Sequence, residues 1–346
     1  MKDNTSKDYP FISVIITGKN SAKTIEECLL SIIRNNYPQS KFEIIYVDGG
    51  STDETLKIVE KISKAHEGKA TIKWYVEPGL PGKGRNRGIL EAKREIIAFA
   101  DSDVIVDENW LVSIARHMLR AGERVAGVGG PNLTLPNSPP FAQLVGILWE
   151  MPFGAMGARN PARYKGIRVV DHNPTCNAAY WRWVFEKVGL FREDLPVTED
   201  VEFDTRIRRS GYLLLYADDI VVWHHRRRTL KSFLKQMYSY GYWRAYSGRK
   251  RLIPLSLLHF MPSALLFYLL VVLPVALACG MHLLLVPLAA YVAFGLLSGL
   301  YAAARHANLK LAAVIPALGF LEHIAYGAGF IAGFFGGPRG GEGLPA

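Results

Sequence analysis

Beyond Arg251 the chain almost stops carrying charge. Three apolar stretches follow, roughly Leu255 to Cys279, Leu283 to Ala304 and Leu311 to Phe335, each about as long as the ~20 residues a helix needs to cross a bilayer. Pro, Gly, an occasional His and Glu322 interrupt them, which a helical bundle tolerates. They read as an all-α transmembrane region over residues 252–336, ahead of a low-complexity tail at 337–346. Lys250 and Arg251 precede the first stretch, Gly280 to His282 has no Lys or Arg, and Arg305 and Lys310 flank the next connection. By the positive-inside rule everything before Arg251 and the Arg305 loop is cytoplasmic, and the C-terminus is outside. The leading MKDNTSKDYP is polar, without the apolar core of a signal peptide, in keeping with a cytoplasmic first domain. The expected location is the cell membrane, multi-pass.

The formal net charge of +10 would suit nucleic acid or an anionic membrane surface. The run GRKRL directly before the first apolar stretch favours membrane lipids and no nucleic acid. Cys28, Cys176 and Cys279 stand in unlike contexts with no paired spacing, so neither a disulfide framework nor a zinc site is indicated.

Residues 1–228 alternate strand and helix patterns. FISVIIT reads as a buried strand and TIEECLLSIIRNN as the helix after it. FEIIYVD is a second strand, followed by GGSTDETLKIVEKI, in which Ser51 and Glu54 have capping-box spacing. Then come TIKWYVE, a Gly-rich loop, the short helix RNRGILEAKR and the strand EIIAFADSDV. Four such units imply an α/β domain with a mostly parallel sheet and ligands at the carboxyl ends of its strands. Helical spacing returns at WRWVFEKVG and EDVEFDTRIRRSG, before the strand YLLLYAD. The stretch FAQLVGILWEMPFGAMGA is apolar but broken by Pro152 and Gly154, and reads as a core segment or one lying on the bilayer surface. Residues 229–251 read as an amphipathic helix of the membrane interface, with Leu230, Phe233, Leu234, Met237 and Tyr240 on one side.

The acids fall at strand and helix ends. Asp101 and Asp103 are two apart where a strand finishes, so a short turn can aim both at one point. Hard oxygen ligands of this kind suit Mg²⁺ or Mn²⁺. Asp48 ends another strand, in YVDGGSTDET. Glu199 and Asp200 begin a helix, where negative charge either complements the helix dipole or serves as a general base, and Arg206, one and a half turns on, either pairs with these acids or simply covers them. The loop EPGLPGKGRNRGI has neither the Walker A spacing nor the dinucleotide fingerprint. It reads as a basic loop at the head of a helix, either solvated or holding Lys83, Arg85 and Arg87 within reach of phosphate.

Taken together, VIITGKNSAKTIEECLLSI, VDGGSTDET, RNRGI, FADSDV, CNAAYWR, TEDVEFDTRIRRSGY and HHRRRTLKSFLKQMYSYGYWR resemble a family 2 glycosyltransferase of the GT-A fold. They are closest to the membrane-attached subgroup that makes polysaccharide or lipid-linked glycans. The resemblance spans roughly Pro10 to Arg244 and implies a nucleotide-sugar donor (a UDP- or GDP-sugar), a divalent metal (Mn²⁺ or Mg²⁺) and inversion at the anomeric carbon. By motif, Thr17, Asn20, Asp48, Lys83, Arg85, Asp101 and Arg244 are donor-binding. Asp103, Asp101 and His224 are metal-binding, and Asp200, with Glu199 beside it, is catalytic. The family's polymer synthases carry Q-x-x-R-W, whereas here Trp243 precedes Arg244, which speaks against a processive synthase.

The expected activity is sugar transfer to a hydroxyl of a membrane-associated acceptor, lipid-linked or polysaccharide. The alternative is transfer to a polyprenyl or dolichyl phosphate, which needs no base. A channel or transporter is disfavoured, because the apolar stretches hold few ionisable residues beyond Glu322 and His323. A homo-oligomer is compatible with the sequence.

Overall fold

A computed structural model describes residues 9–154 and 165–338. The start of the leading polar segment, the end of the stretch 141–158 and most of the tail lie outside the described residues. The chain divides into two compact units, one of residues 1–133 with 164–225, the other of 134–163 with 226–340.

In the first unit β1 (Ile12–Gly18), β2 (Phe42–Asp48), β3 (Thr71–Val76) and β4 (Ile96–Asp101) pair in parallel, in the order β3-β2-β1-β4. The runs of β1, β2 and β4 are almost wholly apolar because both faces of the sheet are covered. On one face Val14, Ile16 and Ile44 pack with Leu29 and Ile32 of helix α1 (Ile25–Ile33), Val59 of α2 (Thr55–Ala65) and Trp110 of α4 (Trp110–Arg120). On the other, Ile15, Ile45 and Phe99 meet Ile89 of α3 (Pro81–Glu91), Phe185 of α6 (Arg182–Val188) and Phe203 of α7 (Glu199–Arg209). This is the period-two alternation of a strand.

The sheet continues through β9 (Asn177–Trp181), β6 (Val125–Gly129), β10 (Leu213–Ala217) and β8 (Ile167–Val170), to give eight strands in all. Here β9 runs antiparallel to both β4 and β6, β10 is parallel to β6, and β8 is antiparallel to β10. A small sheet has the order β5 (Val104–Val106), β11 (Val222–His224), β7 (Asn132–Thr134). The mostly parallel α/β architecture expected from the sequence is thus present, with β9 inserted and β8 at the edge against the run of the others.

Two local expectations change. The segment read as a Gly-rich loop is the start of α3, with Pro81 at its first position, where a missing N–H costs nothing. Its glycines are required by close approach: a Cβ on Gly88 would lie 2.5 Å from Ile15 Cγ2, and one on Gly82 2.2 Å from the Arg192 carbonyl oxygen. The Ser51–Glu54 capping box does not form, because the Ser51 hydroxyl donates to Asp48 while Asp53 accepts the N–H of Thr55.

The second unit is helical. It holds α5 (Pro140–Glu150), α8 (Leu230–Arg249), α9 (Leu257–Phe267), a π-helical turn at Tyr268–Val272, α10 (Leu273–Ala278), α11 (Val286–Arg305) and α12 (Leu311–Phe335). Three helical segments, Leu257–Ala278, His282–Arg305 and Leu311–Phe335, are long and apolar enough to cross a membrane. Leu257, Leu270, Leu283 and Leu297 are among many apolar side chains exposed along them. Phe233 and Met237 of α8 are buried in a cluster with Val145, Leu148 and Trp149 of α5 and with Ile315 and Leu318 of α12. Glu322, the one acid in these stretches, accepts from the indole N–H of Trp149 at 3.0 Å.

α8 and α12 meet backbone to backbone. A Cβ on Gly329 would lie 2.0 Å from the Tyr238 carbonyl oxygen, and one on Gly333 2.0 Å from that of Tyr242. Gly333→Ala should therefore lower thermal stability of the detergent-solubilised protein by about 1–3 kcal/mol, the usual cost of overpacking. Gly337→Ala, where nothing lies within 4 Å, should leave the melting temperature unchanged.

Candidate active site

The register of the sheet gathers the acids. Gly18 of β1 sits beside Asp48 and Thr17 beside Asp101, so two strand-end carboxylates flank β1 at one rim. Because β9 runs antiparallel, Asn177 at its start pairs with Ala100 and brings Cys176 to the same rim. Asn177 is fully buried: it accepts from the Trp110 indole and donates to the carbonyls of Pro131 and Ile220. In the small sheet His224 pairs with Val104, which sets the imidazole next to Asp103.

A metal-sized constellation results. Donor atoms of Asp101, Cys176 and His224 all lie within 4.8 Å of one another, and His224 Nε2 is 3.5 Å from Asp103 Oδ1. His224 Nδ1 lies 3.0 Å from the backbone carbonyl of His225. A carbonyl can only accept, so Nδ1 donates to it and Nε2 is the nitrogen turned toward the carboxylates. An imidazole whose other nitrogen donates to a carbonyl is the common arrangement of a metal ligand. Two carboxylates and an imidazole suit a hard or borderline divalent cation. The Cys176 sulfur is softer and accepts from Asn132 Nδ2 at 2.8 Å.

The second group of acids is tied to the first by a buried guanidinium. Arg85 of α3 pairs with Glu199 at the start of α7 and, at 3.2 Å, with Asp101. It is only 5% exposed. Burial opposes its charge, but Glu199, Asp101 and Asp200 overrule that and keep it a cation. Burial pushes the Glu199 carboxyl up to about 7, against the pull of Arg85. At Asp101 burial again raises the carboxyl, Arg85 lowers it, Asp103 raises it further and His224 lowers it, with a net rise. A cation drawn to Asp101 and Asp103 would remove that repulsion.

Thr198 precedes α7 in the left-handed region (φ 76°), which is strained for Thr. The helix therefore starts abruptly, with Glu199 and Asp200 in its first turn. Asp200 is partly exposed: Oδ1 accepts from its neighbour's backbone N–H, Val201 N, and Oδ2 is 3.7 Å from His172 Nε2. Arg206 pairs with Glu202, not with the two leading acids, and also donates to the carbonyls of Val188 and Leu190.

The other residues expected to bind donor are placed as follows. Asp48 is fully buried, and its oxygens accept from Gly50 N, Ser51 N, the Ser51 hydroxyl and the Tyr46 hydroxyl, so it builds the turn at the end of β2. Asn20 (φ 54°) accepts from Thr52 N and joins the β1 and β2 turns. Thr17 lies where Gly84 of α3 approaches the sheet. Lys83 is on α3, held by Glu77 at 2.7 Å, and Arg87 by Glu91 at 2.8 Å. Arg244 belongs to the second unit, on α8, hydrogen-bonded to the Tyr326 hydroxyl. Cys176, His172 and Asp204 were not singled out by sequence reasoning. The i, i+4 spacing of Asp200 and Asp204 on one helix was the available signal.

A mixed sheet of this order, with acids and an imidazole gathered at its carboxyl rim, defines an enzyme of the GT-A fold. Residues 13–188 match the family described as Glycosyl transferase family 2, and the chain belongs to that family: it is a glycosyltransferase. It is 30% identical to glycosyltransferase AglE of Haloferax volcanii over 67% of this chain and 72% of that one. It is 25% identical, over the same shares, to the dolichyl N-acetyl-alpha-D-glucosaminyl phosphate 3-beta-D-2,3-diacetamido-2,3-dideoxy-beta-D-glucuronosyltransferase of Methanococcus voltae. The solved mannosyltransferase PcManGT from Pyrobaculum calidifontis, in complex with GDP-Man and Mn²⁺, shares the fold. Its TM-score is 0.57 at 22% identity, over 90% of this chain and 87% of that one.

Removing the buried cation should be costly. Arg85→Met strands Glu199 and Asp101 and should destabilise the protein by about 3–5 kcal/mol in chemical denaturation. Arg85→Met combined with Glu199→Gln should recover part of that loss.

Proposed function

We propose that the chain is an inverting glycosyltransferase. It moves a sugar from a UDP- or GDP-sugar to a hydroxyl of a lipid-linked glycan at the cytoplasmic face of a membrane. The observation that carries this reading is the division of labour among the acids. Glu199 is locked to Arg85, whereas Asp200, next in sequence, is partly exposed and has one carboxylate oxygen clear of the helix backbone. A carboxylate so placed can accept the proton of an attacking hydroxyl, and one displacement with one base inverts the anomeric centre.

Asp101, Asp103 and His224 would hold Mn²⁺ or Mg²⁺, which when bound supplies positive charge against the leaving diphosphate. Lys83, beside Glu77, stands on α3 within the same unit and would add charge toward the donor. Asp48 and Asn20 fix the two turns between which the nucleoside would lie, with Thr17 at the floor. A lipid-linked acceptor is supported by the three helices long and apolar enough to cross a membrane and by the dolichyl phosphate in the name of the Methanococcus voltae relative. A sugar donor on GDP with Mn²⁺ is what the PcManGT structure holds. The Lys and Arg at 250, 251, 305 and 310 support a cytoplasmic catalytic unit by the positive-inside rule.

The test is nucleotide release by the purified full-length protein from a panel of UDP- and GDP-sugars, with Mn²⁺ and a membrane lipid extract as acceptor. Turnover should vanish with EDTA and return with Mn²⁺. Asp200→Asn should lower kcat about 10²–10⁴-fold while donor binding is retained. Near-normal turnover in that variant would instead indicate a phosphate acceptor, already anionic and in need of no base.

A further inference from the structure

His172 lies in the segment between β8 and β9, outside every motif that led to the active site, yet its position is closely fixed. The next residue, Asn173, is buried, donates its side-chain amide to the Leu215 carbonyl of β10 at 3.0 Å, and donates its backbone N–H to Asp204 at 2.9 Å. Gly129 of β6 leaves room for it, since a Cβ there would lie 2.5 Å from Asn173 Cγ. His172 is thus held against α7 by anchors on both sides of its loop.

Asp204 is one helical turn after Asp200 and wholly buried. Its carboxylate receives three donors: His172 Nδ1 at 2.8 Å, the Asn173 N–H and the Tyr180 hydroxyl at 2.8 Å. Burial raises its carboxyl, and the His172 and Asn173 bonds pull it back. A buried carboxylate so fully bonded is costly unless a cation or strong donor accompanies it. Because Nδ1 is turned to Asp204, Nε2 is the nitrogen that faces Asp200 Oδ2, across 3.7 Å. This is beyond hydrogen-bond range.

We propose that His172 is a positioning residue that relieves Asp200 of the proton taken from the acceptor hydroxyl, with Asp204 fixing the ring and balancing the charge it gains. The proposal rests on the reading of Asp200 as base. The acceptor O–H bond breaks as its oxygen attacks the sugar, and the proton moves to Asp200 Oδ2. That O–H then donates to His172 Nε2 and passes over, which restores the Asp200 carboxylate and leaves an imidazolium between Asp200 and Asp204. The proton departs to water from the exposed edge of the ring, whose side chain is 26% exposed. No oxidant or further reactant is needed. Among the described residues, the charged groups near the ring include Asp200 and Asp204 of α7, Asp171 of its own loop, paired with Arg208 at 2.9 Å, and Arg85 of α3, whose charge reaches Asp200 and Tyr180. Asp200 and Asp204 flank the ring directly, so the local balance favours a proton on it once it is offered.

The experiment uses the full-length protein, Mn²⁺, membrane lipid extract and the nucleotide sugar that turns over in the panel above. His172→Gln should lower kcat at least about tenfold with donor KM unchanged, and should abolish the rise of kcat with pH through the range where imidazole loses its proton. His172→Gly should be similarly slow and be rescued by added imidazole in proportion to its free base. Asp204→Asn should slow the enzyme and shift that pH limb downward, since the imidazolium loses its counter-charge. Melting temperatures identify any variant that fails to fold, and imidazole rescue of folded protein keeps the test independent of stability. A wild-type kcat and pH profile in His172→Gln, with Asp200→Asn inactive, would leave the base in place and overturn the relay. So would a folded, slow His172→Gly that imidazole does not accelerate. Full turnover in Asp200→Asn would remove the base and the relay together.

Discussion

Arg85 is the constraint on which the catalytic unit depends. A rim that collects Asp101, Asp103, Glu199 and Asp200 is electrostatically unfavourable, and two of these acids are carried by elements far apart in sequence. The guanidinium answers both problems, since its planar fork reaches Asp101 at the end of β4 and Glu199 at the head of α7. It can do so only because α3 lies tight on β1, and the absent side chain of Gly88 allows that approach. Of these acids Glu199 alone is buried, held by Arg85, while Asp101, Asp103 and Asp200 all stay partly exposed at the rim.

The two histidines at this rim share a geometry and differ in one partner. Each is fixed through Nδ1, and each turns Nε2 toward an aspartate, Asp103 for His224 and Asp200 for His172. His224 donates to a backbone carbonyl, which fixes Nε2 as the nitrogen that a metal would meet. His172 donates to a buried carboxylate, which stabilises the ring as a cation. A backbone carbonyl thus orients one imidazole and a buried carboxylate the other, and both rings face acids of the first unit.

Much of this was legible in the sequence. The apolar runs that end in Asp48 and Asp101 read as strands in a covered sheet, and the acids at their ends marked the rim. The three apolar stretches after Arg251 were equally plain. What periodicity could not reveal was competition between neighbours. PGKGRNRG looked like a loop because its glycines disfavour helix, but tight packing of α3 on the sheet selects those glycines and outweighs propensity. Ser51 looked like a helix cap until Asp48, three residues earlier, proved the better partner for its hydroxyl. Asp204 drew no notice within the helix EDVEFDTRIRRSG. Its partners, His172, Asn173 and Tyr180, come from a loop and a strand about 24 to 32 residues away in the chain, and no local pattern links them.

The helical unit shows the same limit from the opposite side. A helix that lies on a membrane is sought by its large apolar face, and α8 offers one in Phe233 and Met237. The residues that determine its packing are small: Ser239, Gly241, Ala245 and Ser247 are all buried. A Cβ on Gly241 would meet the Tyr326 carbonyl at 2.1 Å, and Gly329 and Gly333, four apart on α12, face the carbonyls of Tyr238 and Tyr242, four apart on α8. Matched spacings of this kind let two backbones approach closely, the means by which helices associate where lipid removes the hydrophobic drive between them. Large side chains such as Leu257, Leu283 and Leu297 are then left to point outward, where water would penalise them and acyl chains would not. The small residues thus account for the close fit of α8 on α12.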